Sequence, residues 1–323
     1  MSLLTHPLPA LIASLFCSLA ACSSSSSEHS PQWAGGLPLV ADVNGDGVED
    51  LITYGSAYGL SALDGRTYKP LWKRKDLDIA VHDARRLAAI AGRTLVLAPA
   101  DTTERALTLL DLSDGRTRAS VPLSDKVSRL CGAGERVWVA LIDQTHGLLD
   151  PGTGTGAGTG AAAKLDAAAT VPAECAPRSL PSYACEHSSA ACLPAAGAPS
   201  SLSMQLKDGS STVTVEIKDP GTPEVTIVLP GGKRVLFDRE GARVHAADLA
   251  AGHLFLKRSG GVTAIDAATG APMWSIGCAG STPDLRATAT RVYIECEGYR
   301  NRQALRVLDH SGKVLVDLGE PHH

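Results

Sequence analysis

The stretch that decides the fold is Gly261-Val-Thr-Ala-Ile-Asp-Ala-Ala-Thr-Gly-Ala-Pro-Met-Trp274. An apolar run ends at Asp266, a short spacer leads to Gly270, and a second run carries Trp274. An aspartate in a turn accepts hydrogen bonds from nearby backbone N–H groups, and glycine adopts a positive φ at no steric cost. The pattern therefore predicts two antiparallel strands joined by a tight turn.

The same pattern recurs along the chain. A near copy runs from Gly59 to Trp72, and copies without the tryptophan surround Asp111, Asp150 and Asp309. A further strand-like run precedes each turn, so every unit reads as a small antiparallel sheet. The turns recur at about 40 residues, which is the period of a four-stranded propeller blade.

We therefore predict an all-β fold, a β-propeller of about seven four-stranded blades, with six as the alternative. The interval from Asp150 to Gly231 is about twice the repeat, which leaves room for one degenerate blade. Residues 152–201 depart from the pattern, because they begin with a Gly/Thr/Ala tract and continue into a cysteine-rich stretch. We interpret them as a flexible insertion.

The A-x-D-x-x-T-G-x-x-x-W form of Ala264–Trp274 resembles the repeats of quinoprotein-like (PQQ-like) β-propellers. In that family the tryptophan packs between adjacent blades and the Asp-Gly turn closes a hairpin. Quinone-dependent dehydrogenases of the family are usually much longer and carry dedicated cofactor and calcium ligands, which we cannot place in this sequence. Shorter relatives include lipid-anchored propellers that act as scaffolds in outer-membrane protein assembly, so the resemblance implies a scaffold.

The N-terminus predicts export. Leu8–Ala21 is an apolar run too short to span a bilayer, which is typical of the core of a signal peptide. Leu19–Cys22 resembles the bacterial lipobox, which implies a lipid on Cys22; an ordinary signal peptide with an incidental cysteine is the alternative. The predicted divisions are a lipoprotein signal peptide (1–21), a serine-rich tether (22–34) and the propeller (35–323).

Six cysteines follow the anchor, and an even number in an oxidising compartment predicts three disulfides. They are Cys131, Cys175, Cys185, Cys192, Cys278 and Cys296. Fifteen pairings are formally open. Proximity favours Cys278–Cys296, and Cys131–Cys175 with Cys185–Cys192 would complete the set. A zinc site is disfavoured, because the sequence has no C-x-x-C motif.

The strongest local motif is Asp42-Val-Asn-Gly-Asp-Gly-Val-Glu-Asp50. Oxygen-bearing side chains at alternate positions allow a tight loop to direct them at one hard cation. The motif resembles the calcium loops of integrin-type (FG-GAP) propeller blades, which implies a structural Ca²⁺; a polar turn without metal is the alternative. The candidate ligands are the side chains of Asp42, Asn44, Asp46 and Asp50 and the carbonyl of Val48.

The formal net charge of −4 provides no basic field for nucleic acid. The sequence also contains no G-x-S-x-G, H-E-x-x-H or Walker motif. We therefore predict a non-enzymatic, lipid-anchored cell-envelope propeller that binds envelope or surface proteins, with outer-membrane protein assembly as one setting. Ser23 after the cysteine resembles lipoproteins of the outer membrane, on either its periplasmic or its surface face. The alternatives are a calcium-dependent surface adhesin and, less favoured, a quinone-dependent dehydrogenase.

Overall fold

The computed structural model describes residues 37–55, 59–77, 87–99, 105–152, 165–167, 170–172, 175, 201–218, 224–238, 244–278, 283–297 and 303–318. The signal peptide, Cys22 and the serine-rich tether lie outside the described residues, as do Cys185 and Cys192 and most of the predicted insertion. In the described part of the chain, no helix is long and apolar enough to cross a membrane.

The described residues form six four-stranded antiparallel sheets, each built in chain order. Blade 1 contains β1 (Leu39–Ala41), β2 (Asp50–Gly55), β3 (Gly59–Leu63) and β4 (Pro70–Arg74). Blade 2 contains β5 (Ala88–Ala91), β6 (Thr94–Leu97), β7 (Ala106–Asp111) and β8 (Thr117–Pro122). Blade 3 contains β9 (Val127–Ala133), β10 (Arg136–Leu141), β11 (His146–Leu149) and β12 (Asp166–Ala167).

The second half of the chain repeats this arrangement. Blade 4 contains β13 (Ser201–Asp208), β14 (Ser211–Lys218), β15 (Glu224–Val228) and β16 (Arg234–Asp238). Blade 5 contains β17 (Val244–Ala250), β18 (His253–Arg258), β19 (Gly261–Asp266) and β20 (Pro272–Gly277). Blade 6 contains β21 (Asp284–Ala287), β22 (Val292–Glu297), β23 (Gln303–Leu308) and β24 (Val314–Leu318).

The fold is a β-propeller, as the repeat predicts. Its described residues form six blades. Six is the alternative blade count predicted above, and the described residues contain no seventh blade. The long interval after Asp150 explains the difference. Asp150 lies between β11 and β12, and Gly231 lies between β15 and β16, so the two turns belong to consecutive blades. The described residues of the interval add no further sheet, and Asp166–Ala167, within the predicted insertion, form β12 of blade 3.

The Asp turns close the hairpin between the third and fourth strands of a blade. In blade 5 the N–H of Asp266 donates to the carbonyl of Ala271 (2.9 Å), and Asp266 Oδ1 accepts from the N–H of Thr269 (2.7 Å). Blades 1, 2 and 6 close the same hairpin with Asp64, Asp111 and Asp309. Blade 4 closes it between Leu229 and Lys233, without an aspartate.

Five apolar clusters join consecutive blades among the described residues. One of them joins the last blade to the first: Leu51 and Leu63 of blade 1 pack with Tyr293, Leu305 and Leu318 of blade 6. The ring of blades therefore closes by direct packing between the two ends of the propeller chain.

At some seams, a side chain of the fourth strand rests on a glycine in the turn of the next blade. A Cβ on Gly115 would lie 2.8 Å from the Trp72 ring, and one on Gly312 would lie 2.7 Å from the Trp274 ring. Both glycines have a positive φ. Valine takes the place of tryptophan between blades 4 and 5, where a Cβ on Gly270 would lie 2.7 Å from Val235. The tryptophan of the repeat thus contacts the glycine of the following repeat.

Two disulfides are present among the described residues. One joins Cys131 of β9 to Cys175, and the other joins Cys278 to Cys296. Cys278–Cys296 is the pairing that proximity in the sequence favours, and Cys131–Cys175 is one of the two pairings that would complete the set. Because Cys278 follows the outer strand of blade 5 and Cys296 lies in β22 of blade 6, the second disulfide links adjacent blades.

Candidate functional site in the first loop of blade 1

The predicted calcium motif is the connection between β1 and β2. In blades 2 to 5 this connection is a two-residue turn, whereas in blade 1 it comprises residues 42–49. The extra residues lie at the end of the sheet where the turn between β3 and β4 also lies, because β1 and β3 both pair antiparallel with β2. The motif is therefore an insertion at one fixed position of the repeat.

Asp42 closes the loop from its N-terminal side. Its Oδ1 accepts hydrogen bonds from the N–H groups of Gly45 (2.7 Å) and Asp46 (3.0 Å), and its Oδ2 accepts from Gly47 (2.9 Å). Gly45 and Gly47 both have a φ of 79°. Only glycine adopts this conformation without strain, so the Gly-x-Gly spacing is required by the backbone of the loop.

The central polar side chains bond mainly within the loop. Asn44 Oδ1 accepts from the N–H of Asp46 (2.9 Å), and Asp46 Oδ1 accepts from the N–H of Val48 (2.8 Å). The amide of Asn44 donates to Asp64 Oδ2 (3.2 Å) in the turn between β3 and β4. These bonds shape the loop and connect it to the neighbouring turn.

Asp50 faces into the blade and is fully buried. Its Oδ2 accepts from the N–H groups of Val43 (2.8 Å) and Asn44 (3.3 Å), and its Oδ1 accepts from the N–H of Gly65 (2.6 Å). Burial raises the pKa of the Asp50 carboxyl, and the three backbone hydrogen bonds oppose that shift. Asp50 therefore anchors both turns at this end of the blade.

Arg66 supplies a cation next to the loop. Its Nε lies 3.0 Å from Asp46 Oδ2, and its Nη2 donates to the Asp46 carbonyl oxygen (3.1 Å). Arg66 is itself positioned by the turn between β3 and β4, because its N–H donates to Asp64 Oδ1 (3.0 Å). Sequence reasoning missed this residue, since it lies outside the predicted motif.

The donor set has the hard oxygen ligands that Ca²⁺ prefers, but its arrangement does not fit a calcium site. Asp50 is directed into the blade, and Asp46 is paired with Arg66. Within the described ranges, no group of three or more His, Cys, Asp and Glu side chains is arranged to hold a metal ion. Calcium binding by Asp42, Asn44, Asp46, Val48 and Asp50 stays a prediction.

Glu49, at the end of the loop, bonds across the closing seam of the ring. Its Oε2 accepts from the hydroxyls of Thr288 (2.6 Å) and Thr290 (2.7 Å) of blade 6. In return, Arg291 Nη1 donates to the Glu49 carbonyl (3.0 Å) and Arg291 Nη2 to the Gly65 carbonyl (2.7 Å). We call Glu49, Gly65, Thr288, Thr290 and Arg291 the closing latch.

Gly65 corrects one expectation. The Asp-Gly turn predicts a glycine with positive φ, and Gly270 fulfils that expectation, but Gly65 is not among the glycines with positive φ; Tyr68 takes the left-handed conformation in that turn instead. A Cβ on Gly65 would lie 2.0 Å from the Glu49 carbonyl oxygen. Glycine is therefore needed at position 65 because the backbones of the loop and the turn approach so closely.

Four turn aspartates have lowered pKa values, each because a neighbouring Ser or Thr donates to the carboxylate. The hydroxyls of Thr67, Ser113 and Ser311 are the largest causes for Asp64, Asp111 and Asp309. For Asp266 the largest cause is the backbone N–H of Thr269. These carboxylates serve to hold their turns closed.

The structure also brings together two histidines that are distant in the sequence. The rings of His253 (blade 5) and His310 (blade 6) lie 5.4 Å apart, and His310 Nε2 lies 3.0 Å from the Thr288 carbonyl oxygen. In the part of the chain that the structure describes, the buried Nδ1 of His253 has no hydrogen-bond partner. In the sequence these histidines occur singly near strand ends, so nothing in it predicts that the two rings lie close together.

No protein-family model matches the chain, and no curated protein matches it either. Solved structures with a similar fold include dihydro-heme d1 dehydrogenase NirN in complex with DHE, with 15% identity and a TM-score of 0.47. The match covers 89% of this chain and 66% of that one. BamB from Moraxella catarrhalis has 12% identity (88% of this chain, 76% of that one, TM-score 0.30). The Cps50 (Swd1) β-propeller domain of Myceliophthora thermophila has 13% identity (90% and 88%, TM-score 0.33). These are likenesses of fold at low identity, and the function of this chain has to be argued from its own residues.

Proposed function

We propose that this chain is a lipid-anchored protein of the bacterial cell envelope and that it acts as a protein-interaction scaffold without a catalytic step of its own. The observation that supports binding is a set of exposed apolar residues at one repeated position on the outer strands of three adjacent blades. The anchor is proposed from the sequence of Leu19–Cys22, which lies outside the described residues.

The repeated position is a bulge in the fourth strand. The pairing of β3 with β4, of β19 with β20 and of β23 with β24 shifts by one residue at the same point of the blade. The extra residues are Leu71, Met273 and Leu315, which are 37%, 42% and 39% exposed. We call these three residues the outer apolar positions. A bulge bends the strand and redirects its side chains. The exposure of these three residues therefore follows from the shape of the backbone at this position.

Blades 5, 6 and 1 are neighbours in the ring, because the last blade packs against the first. Blade 2 has the same bulge with a different residue, Arg118, which pairs with Asp111 (3.2 Å) and Thr94 (3.0 Å). A single exposed apolar side chain is ordinary on a protein surface. Its recurrence on three adjacent blades favours a partner that contacts the outer edge with apolar side chains.

Site-specific photo-crosslinking tests the scaffold proposal. A photo-reactive amino acid at Leu71, Met273 or Leu315 should give crosslinks to the same envelope protein in intact cells. The control position is Ser120, which is exposed on the outer strand of blade 2. Equal crosslinking from Ser120, or none from the three outer apolar positions, would contradict the proposal. Saturable turnover with an added quinone cofactor would contradict the non-enzymatic part.

The anchor is tested separately. Cys22→Ala should abolish incorporation of a fatty-acid label and move the chain from the membrane fraction to the soluble fraction. Cys17→Ala, within the apolar run, is the matched control and should leave both properties unchanged. A Cys22→Ala chain that still carries the label would rule out lipidation at this residue while leaving the scaffold proposal intact.

A further inference from the structure

We infer that Arg66 supplies the positive charge that holds the loop of residues 42–49, in place of the metal ion that the loop sequence predicts. The inference starts from the disagreement between the motif and its geometry. The motif has the oxygen ligands of a calcium loop, yet the described carboxylates are not gathered around one point. One guanidinium contacts the central carboxylate of the motif.

The contact of Arg66 with Asp46 is two-fold. The guanidinium Nε reaches the carboxylate Oδ2 at 3.0 Å, and Nη2 reaches the carbonyl oxygen of the same residue at 3.1 Å. A guanidinium presents its donors in a rigid fork, so two bonds to one residue fix the direction of the loop as well as its charge. In a calcium loop, Asp46 Oδ2 would face the shared ion and not a cation outside the loop.

The buried Asp50 supports the same conclusion. Ca²⁺ takes about 6–8 oxygen ligands. Asp50 uses both oxygens to bind the N–H groups of Val43, Asn44 and Gly65, and these bonds connect the loop to the turn that carries Arg66. The loop is thus joined to that turn by the buried Asp50, by the bond from Asn44 to Asp64 and by the exposed Arg66.

The consequence is that Arg66 is a positioning residue for the closing latch. Glu49 follows Asp46 by three residues in the same loop. Its carboxylate accepts hydrogen bonds from Thr288 and Thr290 across the seam. A loop held by Arg66 presents Glu49 to blade 6 without any bound ion. Closure of the ring is then independent of the calcium concentration.

Thermal unfolding of the full chain, with Ca²⁺ or with a chelator, tests the inference. The wild-type Tm should be the same in both conditions. Arg66→Gln should lower the Tm by about 1–3 °C in chelator, because an exposed ion pair is lost. The Tm of the variant should still not rise with Ca²⁺, because Asp50 keeps both oxygens on backbone N–H groups. Arg66→Lys, which keeps the positive charge, should recover part of the lost Tm.

The matched control is Arg116→Gln in the corresponding turn of blade 2. Arg116 is more exposed than Arg66 and pairs at 3.4 Å with Asp114 of its own turn, away from the loop. This variant should change neither the Tm in chelator nor the response to Ca²⁺. A wild-type Tm that rises with Ca²⁺ and loses that rise in Asp46→Asn would overturn the inference in favour of a metal site. An Arg66→Gln chain with an unchanged Tm in chelator would also overturn it.

Discussion

The seam between blades 5 and 6 and the seam between blades 6 and 1 are held together by different kinds of contact. At the first, Trp274 rests on Gly312 and donates its indole N–H to the His310 carbonyl (2.9 Å), and a disulfide crosses the seam. At the second, β24 carries Val316 where blade 5 has its tryptophan, and the closing latch supplies the polar contacts.

The difference follows from chain connectivity. Only residues 278–283 separate the strands of blades 5 and 6, so the repeat motif can encode both halves of their contact. The first and last blades are separated in the sequence by the four other blades. Their seam therefore depends on residues that the repeat does not contain, such as Glu49 and Arg291.

The largest expected effect comes from filling the space under Trp274. Gly312→Ala places a Cβ about 2.7 Å from the indole and forces alanine to a φ of 89°. We expect a loss of about 2–4 kcal/mol in the free energy of unfolding, from strain and overpacking together. Urea unfolding measures it. Gly260→Ala is the control, because it has a φ of 79° but no neighbour within 4 Å. Equal losses in the two variants would mean that the tryptophan contact does not determine this seam.

The second effect is at the closing seam. Arg291→Gln removes the guanidinium bonds to the carbonyls of Glu49 and Gly65. Hydrogen bonds to charged groups contribute about 1.5–3 kcal/mol, and partial exposure of this seam points to the lower half of that range. The control is Arg306→Gln, whose half-exposed pair with Asp317 (3.1 Å) lies within blade 6. Hydrogen exchange should report opening in blades 1 and 6 only for the first variant; opening in blades 3 and 4 would show that the latch is not local.

A smaller effect isolates the indole donor. Trp274→Phe keeps an aromatic ring over Gly312 but removes the N–H bond to the His310 carbonyl. We expect a loss of about 1–2 kcal/mol, from one hydrogen bond and part of a ring. Trp72→Phe should behave alike, because its N–H donates to the Leu112 carbonyl at 2.9 Å. Unequal losses at the two seams would show that the repeat contact depends on its neighbours.

The smallest expected effects concern the change of stability with pH. The folded-state pKa values of Asp64, Asp111, Asp266 and Asp309 are lowered from 3.8, so the stability that they contribute is present above that pH and is lost as the pH falls through the folded values. Asp50 has a raised pKa, so its contribution has the opposite sign and falls as the pH rises. Asp266→Asn should flatten the decline of Tm between pH 5 and pH 3, and Asp50→Asn should steepen it. Parallel wild-type and variant curves would contradict the assignment.

The sequence predicts the features that are local to one repeat. The all-β class, the four-stranded unit, the Asp-closed hairpin and the favoured pairing of Cys278 with Cys296 all depend on residues close in the chain. The blade count is less accessible, because residues 152–201 and the turn from Leu229 to Lys233, which lacks an aspartate, interrupt the period.

The candidate site is harder to predict for a physical reason. A carboxylate at alternate positions of a Gly-rich loop can bind a cation or accept backbone N–H groups, and the two roles leave the same sequence pattern. In the structure Asp50 accepts backbone N–H groups, and one of them belongs to Gly65 in a different turn. Arg291 lies 242 residues from its partner Glu49, so no local pattern links them.

That separation has a consequence for the synthesis of the chain. A contact between the two ends of the chain cannot form until almost all of the polypeptide has emerged, and such long-range pairing is slow to form. Until then Glu49 has no donors from Thr288 and Thr290, and the apolar side chains of Leu51 and Leu63 have no blade 6 to cover them. We therefore expect a chain shortened before Arg291 to be degraded faster than the full chain, because its first blade stays open.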